Sequence, residues 1–429
     1  MKKTVLTLAV AAALTAGAIA PTPAIYAKSA TGSHTDMGQV GGDKRAAMQA
    51  LLAANGGKFM PQLQIIQAEL VDHVAKLINK KPIIVQTWVN NYEGDKPATR
   101  GQATRLVIKA MKHLPSAAAV VTDLEAVNPI TLQVTFSAPL TADDVNLEQA
   151  KKNFQFDNGM TILNVPQLKN GAVSTYIVPV TVQKPGSTYT LSYKGKAAGS
   201  FKAATNKIEL SSSKQVAMDT FELESFRDQG VTDYAYIVEA YYGSRGGQEM
   251  SLDVNNRYHG RPYQIISSLR DKQVTITPEG GQPIMANYVP YTQATDGRQA
   301  PKFRLAGGAK LQAGVKYTVS SEWATVKEAS FIAKTIAPLE IAAVTAQSET
   351  ELAVKLSMDP MDELFSGRSV TLTDADGTVL TAAYKVTTRK GDTGTFTLAG
   401  GAKLAKGVKY EVEAAGGWAV DRGVTITLN

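Results

Sequence analysis

The spacing of hydrophobic positions changes once along this chain, near Pro115. Before Pro115, apolar residues such as Leu70, Val74 and Leu77 recur three or four positions apart, which is the pattern of one buried helix face. The predicted helices cover residues 43–52, 63–78 and 100–114. After Pro115 the period falls to two, which is typical of half-buried strands. Clear strand patterns occur at 131–136, 189–193 and 274–277. The chain is therefore predicted to be mainly β, with a small α-helical N-terminal module.

An internal repeat divides the β region. Residues 303–319 (FRLAGGAKLQAGVKYTV) and 396–412 (FTLAGGAKLAKGVKYEV) match at 13 of 17 positions, at an offset of 93 residues. This offset is the size of one β-sandwich domain. A fainter copy lies earlier, so we predict three tandem sandwiches. Tyr189, Tyr317 and Tyr410 hold equivalent places in the three copies, and we expect buried core or corner tyrosines there, not catalytic ones.

The start of the sequence has the features of a secretory signal peptide. Lys2 and Lys3 precede an apolar run over 5–20, and Ala27 stands at a suitable cleavage site. No second apolar run is long enough for a membrane span, and the end shows no sorting or lipid-anchor tail, so noncovalent attachment is expected.

The predicted segments are a signal peptide at 1–27, a helical module at 28–115, and β-sandwiches at 116–205, 206–335 and 336–429, the second with an insertion.

The net positive charge of the chain is concentrated in the helical module. Residues 28–115 carry 12 Lys and Arg against 6 Asp and Glu, a net charge of +6, whereas 116–429 carry 31 against 32. A basic module on a near-neutral body indicates an anionic partner, and for an exported protein a wall polymer is a better candidate than nucleic acid. A solvated basic surface is the alternative. The chain has no cysteine, which excludes thiol catalysis and disulfides.

The β region resembles a known family. Residues 124–140 (LEAVNPITLQVTFSAPL) resemble the opening strands of bacterial immunoglobulin-like (Ig-like) domains of S-layer and other surface proteins. Those domains pair this opening with a later Leu-x-x-Gly-x-x-Tyr-x-Leu strand, and residues 184–191 correspond to it. The resemblance implies tandem Ig-like β-sandwiches, a fold that hosts many functions.

The helical module resembles a degenerate S-layer homology (SLH) module. The family places a Gly-Asp-x-x-x-Pro loop before a Thr-Arg-Ala-Glu motif, and here Gly94 and Asp95 precede Thr99 and Arg100, with Gln102 in place of Glu. The resemblance implies that this loop and Arg100 bind a secondary cell wall polymer or another peptidoglycan-linked polysaccharide. Thr99 would cap the helix. Trp88 is a candidate for stacking on a sugar ring. Alternatively, Arg100 is a solvated helix-start residue and Trp88 is a core residue.

Motifs for catalysis and for metal binding are sparse. The sequence contains no Walker loop and no GxSxG motif, and its four histidines are scattered. Asp374 and Asp376 resemble the start of a calcium loop, although no Glu follows at the required spacing, and a hairpin turn is the alternative. Ca²⁺ is accordingly the only cofactor considered, and no catalytic residue is predicted.

These observations favour a non-enzymatic structural protein of a Gram-positive cell surface. We expect a secreted S-layer or S-layer-like protein that is attached noncovalently to an anionic wall polymer and self-associates through its Ig-like domains into a lattice. No nucleic-acid partner is expected. The alternative is a secreted adhesin that binds a carbohydrate or host ligand, with the loop-rich insertion at 228–261 as its candidate binding surface.

Overall fold

The structure is a computed structural model that describes residues 65–78, 80–225, 251–290, 300–360 and 365–428. The predicted signal peptide at 1–27 and the predicted helix at 43–52 lie outside these residues. The chain forms two compact units. Of the described residues, the helical unit contains those up to 120 and those at 136–144 and 173–175, and the sandwich unit contains those at 121–135, at 145–172 and from 176 onward.

Among the described residues of the helical unit, three helices pack together. They are α1 (Gln67–Leu77), α2 (Pro82–Gln86) and α3 (Arg100–Met111). The predictions at 63–78 and 100–114 are thus confirmed, whereas α2 was not predicted because it spans only one turn. Pro82 stands in the first turn of α2, where its missing N–H costs no hydrogen bond. The core of the unit consists of Leu70, Val71, Val74, Ala75, Ile78, Val85, Leu106, Val107 and Ala110.

The first sandwich contains seven strands and one short helix. The strands are β1 (Val121–Asn128), β2 (Thr131–Phe136), β3 (Phe154–Phe156), β4 (Gln167–Leu168), β5 (Thr175–Pro179), β6 (Thr188–Tyr193) and β7 (Lys196–Lys202). The helix α4 (Leu147–Asn153) precedes β3. The sheets have the orders β1-β2-β5-β4 and β3-β6-β7. With strands lettered A to G, this is the A-B-E-D and C-F-G arrangement of constant-type immunoglobulin domains.

The second sandwich forms one eight-stranded sheet that folds over its own core. Its strands, with a small hairpin (β10 and β11), are β8 (Ile208–Gln215), β9 (Thr220–Ser225), β10 (Arg257–Tyr258), β11 (Arg261–Pro262), β12 (Gln273–Pro278), β13 (Ile284–Val289), β14 (Lys302–Leu305), β15 (Lys316–Ser320), β16 (Ala324–Glu328) and β17 (Ser330–Ile332). The order in the sheet is β16-β8-β9-β14-β13-β12-β15-β17. The segment after β15 contributes a strand to each edge of the sheet. β16 pairs in parallel with β8 at one edge, and β17 pairs antiparallel with β15 at the other.

The third sandwich repeats this topology strand for strand. Its strands are β18 (Leu339–Ala346), β19 (Glu351–Leu356), β20 (Ser369–Asp374), β21 (Val379–Tyr384), β22 (Thr393–Leu398), β23 (Lys409–Ala414), β24 (Ala419–Asp421) and β25 (Thr425–Thr427). Their order is β24-β18-β19-β22-β21-β20-β23-β25. The sequence repeat is therefore a repeat of one fold, and the predicted mainly-β fold class of tandem β-sandwiches is confirmed.

The repeated residues make the same contacts in each copy. The phenolic oxygens of Tyr189, Tyr317 and Tyr410 each accept a hydrogen bond from the backbone N–H five residues upstream, at 2.8, 2.9 and 3.1 Å. These are tyrosine corners, as known from immunoglobulin-like sandwiches. All three rings are buried, so the expectation of core or corner tyrosines is confirmed. Trp323 and Trp418, which were not predicted as core residues, are also buried in equivalent positions.

Within the described residues, no helix is both long and apolar enough to cross a membrane.

Candidate functional site

The loop before α3, residues 92–98, is tied to the first turn of α1. The backbone N–H of Gln67 donates to the carbonyl of Lys96 at 2.9 Å, and that of Ala68 donates to the carbonyl of Gly94 at 3.0 Å. These bonds satisfy donors that a helix start otherwise leaves unpaired. The loop therefore has a fixed backbone, while the side chain of Asp95 is exposed.

Thr99 caps α3, as predicted. Its Oγ1 accepts from the N–H of Gln102 at 3.1 Å, and Oε1 of Gln102 accepts from the N–H of Thr99 at 2.9 Å. Gln102 thus completes a capping box, with no negative charge where the SLH motif has Glu. The first turn of α3 contains no acidic residue, so the positive end of its dipole is not neutralised there. Arg100 begins this turn, and its side chain lies outside the described part of the chain.

Trp88 is half-buried against the core of the helical unit. Its ring stacks on His113 with centroids 4.7 Å apart, and Nζ of Lys109 lies 4.8 Å from the ring centroid. Burial, followed by the charges of Lys80 and Lys109, lowers the pKa of His113 to about 4. His113 is therefore neutral at pH 7, and the positive charge at this aromatic cluster comes from the lysines.

The structure does not bring all the predicted wall-binding residues together. Gly94, Asp95 and Thr99 lie at the N-terminal end of α3, whereas Trp88 contacts Lys109 near the C-terminal end. Ten residues of α-helix separate Thr99 from Lys109, which corresponds to about 15 Å. A single sugar cannot span this distance, although a polymer can. The binding roles of these residues remain predictions.

A buried ion pair joins the second and third sandwiches. The guanidinium of Arg368 donates two hydrogen bonds to the Asp219 carboxylate, at 2.7 and 2.8 Å, and the two side chains are only 6% and 17% exposed. Arg304 reaches across the same junction and donates to the carbonyl of Ser366 at 3.0 Å. Burial acts to raise the pKa of Asp219, but the hydrogen bonds and charge of Arg368 outweigh it and hold the pKa below its usual value.

Polar contacts also join the first and second sandwiches. Nδ2 of Asn128 donates to the carbonyl of Ile265 at 2.7 Å, and Nζ of Lys272 donates to the carbonyl of Val180 at 2.6 Å. Lys272 is 2% exposed and lines a groove of about 590 Å³ between the sandwiches. Burial lowers the pKa of this lysine from 10.5 to about 7.

The insertion of the second sandwich packs on the first. Leu252 and Ile265 form a small buried cluster with Ile177 of β5. The segment around Val254 also contributes a backbone carbonyl to polar side chains of the first sandwich. Of the insertion predicted at 228–261 as a binding loop of an adhesin, residues 228–250 lie outside the described residues. The described part serves as a connection between sandwiches.

Asp374 and Asp376 lie at the hairpin between β20 and β21. Oδ1 of Asp374 accepts from the N–H of Asp376 at 3.0 Å and from that of Thr378 at 2.8 Å, which closes the turn. In the described ranges, no group of three or more His, Asp or Glu side chains is placed to hold a metal ion. Calcium binding at this hairpin stays a prediction.

Comparison with known proteins gives distant structural likenesses only. No family model matches the chain, and no curated protein matches its sequence. The S-layer protein SbsC aligns at 12% identity over 90% of this chain and 62% of its own, with a TM-score of 0.17. An alpha-2-macroglobulin fragment from Escherichia coli aligns at 9% identity over 72% of this chain and 96% of its own, with a TM-score of 0.21. The Escherichia coli adhesin FdeC aligns at 12% identity over the same shares, with a TM-score of 0.15.

The chain spans less than two thirds of the length of the S-layer protein. At these identities and TM-scores, none of the three proteins defines a family for this chain. Its own strand order defines the class: it is a protein of tandem β-sandwiches with a small helical unit.

Proposed function

We propose that this chain is a non-enzymatic structural protein of the cell surface, of the S-layer or S-layer-like kind. Its sandwich unit would serve as a stiff body that contacts neighbouring copies. Its helical module would attach the protein noncovalently to an anionic wall polymer. This role requires no catalytic residue and no cofactor.

The observation that carries the proposal is the construction of the sandwich junctions. Domains that move freely are joined by exposed linkers with few contacts. Here a bidentate Arg368–Asp219 pair closes one junction, and hydrogen bonds of Asn128 and Lys272 to backbone carbonyls close the other. A buried charge pair is tolerated only in one geometry, because each partner left alone is costly. Such junctions favour a load-bearing role.

The charge of the helical module supports attachment to an anion. Residues 65–115 carry 8 Lys and Arg against 4 Asp and Glu. The start of α3 is also a helix N-terminus without a neutralising carboxylate, and it lies beside Arg100, the residue predicted to bind the polymer. Phosphate or carboxylate groups of a wall polymer suit both features.

Sedimentation with isolated wall sacculi tests the attachment. The mature chain should sediment with sacculi that carry their secondary polymer and should remain in the supernatant with polymer-free sacculi. The Arg100→Gln variant should bind about tenfold more weakly, the loss expected for one charge-assisted hydrogen bond. Lys202→Gln, an exposed charge on β7, is the matched control. Equal sedimentation with both kinds of sacculi would contradict polymer binding.

Electron microscopy of the purified protein separates the structural role from the adhesin alternative. Two-dimensional sheets would support self-association, and monomers at high protein concentration would support an adhesin. The described part of the insertion favours the structural role, since Leu252 is buried on the first sandwich.

A further inference from the structure

Three polar side chains form a linear chain of hydrogen bonds on one face of the first sandwich. Nζ of Lys169 donates to Oε1 of Gln133 at 2.6 Å, and Nε2 of the same Gln133 donates to Oε1 of Glu125 at 2.5 Å. Lys169 is 2% exposed and Gln133 is 5% exposed. The Lys169 amine thus contacts the oxygen of the Gln133 carboxamide, and the Glu125 carboxylate contacts its nitrogen.

The three side chains come from three different segments of one sheet. Glu125 lies on β1, Gln133 lies on the neighbouring β2, and Lys169 directly follows β4 at the other edge of the same sheet. Leu132 and Val134 point into the sandwich core, so Gln133 faces the opposite side. There the carbonyl of Val254, from the insertion of the second sandwich, covers the cluster at 3.4 Å from Gln133 Nε2 and from Lys169 Nζ.

We propose that Lys169 and Gln133 form an intramolecular isopeptide bond without an external enzyme. The carbonyl carbon Cδ of Gln133 is one C=O bond from Oε1, so Lys169 Nζ lies within about 4 Å of it. This is close to the separation of about 3–3.5 Å at which bound reactants are ready to react. Immobilising both partners on one sheet supplies the proximity that makes an otherwise slow amide exchange practicable.

The reaction balances without any added reagent. Nζ of Lys169, as the neutral amine, bonds to Cδ of Gln133, and the bond between Cδ and Nε2 breaks. One hydrogen passes from Nζ to Nε2, which leaves as ammonia. No electron is gained or lost by the protein, so neither an oxidant nor a reductant is required.

Glu125 is placed to move that proton. Its carboxylate contacts the leaving nitrogen Nε2, and a carboxyl group in this position can protonate the nitrogen as it departs. Burial of its carboxyl group, with the nearby charge of Asp123, raises the pKa of Glu125, although Lys169 acts in the opposite direction. Glu125 is therefore better suited to carry a proton than an ordinary surface glutamate.

The surroundings also favour the reactive form of the lysine. Burial lowers the pKa of Lys169 to about 8, while the charges of Glu125 and Asp253 act to raise it. A substantial fraction of this amine is neutral at weakly alkaline pH, whereas an exposed lysine is almost fully charged. The bond would close a loop over the 36 positions that separate the two residues in a chain without cysteine. It would thus fulfil the role of a disulfide.

Mass spectrometry of the intact mature chain tests the proposal. We expect a mass lower than that of the sequence by one molecule of ammonia, and a tryptic digest should contain a branched peptide joining Lys169 to Gln133. A folded chain that keeps the full mass after prolonged incubation at pH 8 would overturn the proposal.

Variants assign the bond to these residues. Lys169→Arg keeps a cation at the site but cannot form the amide, and it should show the full mass with unchanged circular dichroism. Gln133→Leu keeps the approximate volume and serves as a second variant should the first not fold. Loss of ammonia in both variants would contradict the assignment. Lys272→Arg is the matched control, because Lys272 is equally buried but donates to a backbone carbonyl. It should leave the loss of ammonia intact.

The role of Glu125 has a separate kinetic test. Glu125→Gln keeps a hydrogen-bond acceptor for Nε2 and removes the titratable proton. Bond formation after refolding, followed by mass against time, should slow by about 100-fold, the usual contribution of general acid–base catalysis. An unchanged rate in the folded variant would exclude Glu125 as the catalytic residue. This test does not depend on the wall-binding proposal.

Discussion

At the scale of single residues, the corner tyrosines show how one side chain stabilises a turn. The oxygen of Tyr410 accepts the N–H of Ala405 at 3.1 Å, and the ring fills the core of the third sandwich. Tyr410→Phe keeps the ring and leaves this N–H without its partner. We expect a loss of about 1–2 kcal/mol in the free energy of unfolding.

Urea denaturation of the Tyr410→Phe variant measures this loss. Tyr258→Phe is a suitable control, since Tyr258 is only half-buried and packs at the edge of a small cluster outside the repeat. Equal stability of wild type and Tyr410→Phe would show that the corner bond contributes nothing.

The buried Lys272 should make stability depend on pH. Its pKa is about 7 in the folded chain and 10.5 in an unfolded one. Between these values the unfolded chain holds the extra proton, so the free energy of unfolding rises with pH, by up to about 1.4 kcal/mol per pH unit. Below pH 7 both states are protonated and this contribution is constant. Lys272→Met should remove the rise between pH 7 and 8 and reduce it at higher pH, where Lys169, with a pKa of about 8, still contributes.

Denaturation midpoints measured from pH 6 to pH 10 check this prediction. Lys202→Met, at an exposed position on β7, should retain the slope of the wild type. The same slope in Lys272→Met would show that other groups cause it.

At the scale of elements, the repeated Ala-Gly-Gly turns need glycine for a backbone reason. Gly400 and Gly401 follow β22 with φ angles of 65° and 74°, and Gly307 and Gly308 have nearly the same values after β14. A side chain at such an angle costs about 1–2 kcal/mol. Gly401→Ala should therefore destabilise the chain by this amount.

Thermal unfolding measures this loss, with Gly101→Ala as a comparison variant for which no destabilisation is expected. Gly101 lies in the first turn of α3 at an ordinary helical φ, and an added Cβ there meets its nearest atom at 3.4 Å. Gly101→Ala should be neutral or stabilising, because alanine has the higher helix propensity. A stabilising effect of Gly401→Ala would contradict the turn geometry.

The elements were more predictable from the sequence than the contacts between them. Alternation of apolar residues and the repeat around Tyr317 and Tyr410 indicate strands and their order, because both depend on neighbours in sequence. The cap at Thr99 was predictable for the same reason. The pair Asp219–Arg368 spans 149 positions, and no local sequence pattern distinguishes these two residues from charged residues that stay exposed. The separation of Trp88 from Thr99 likewise depends on how α2 and α3 each pack against α1.

At the scale of the whole molecule, the stiffness of the sandwich unit depends on its two junctions. Removing Arg368 would leave the largely buried Asp219 carboxylate without its main partner, at a cost of about 3 kcal/mol. Because the pKa of Asp219 is lowered in the folded chain, this stabilisation is present above the ordinary pKa of 3.8 and is lost as the pH falls through the folded value. At neutral pH the junction should be closed.

Electron paramagnetic resonance distances between the first and third sandwiches test this claim most directly. The chain has no native cysteine, so spin labels can be placed at exposed positions by Lys202→Cys and Glu411→Cys. We predict one narrow distance distribution, which broadens in Arg368→Ala. It should not change in Arg389→Ala, because that residue forms an Arg–Asp pair with Asp359 at 2.6 Å within one sandwich. A broad distribution in the wild type, or none of this broadening in Arg368→Ala, would contradict a stiff sandwich unit.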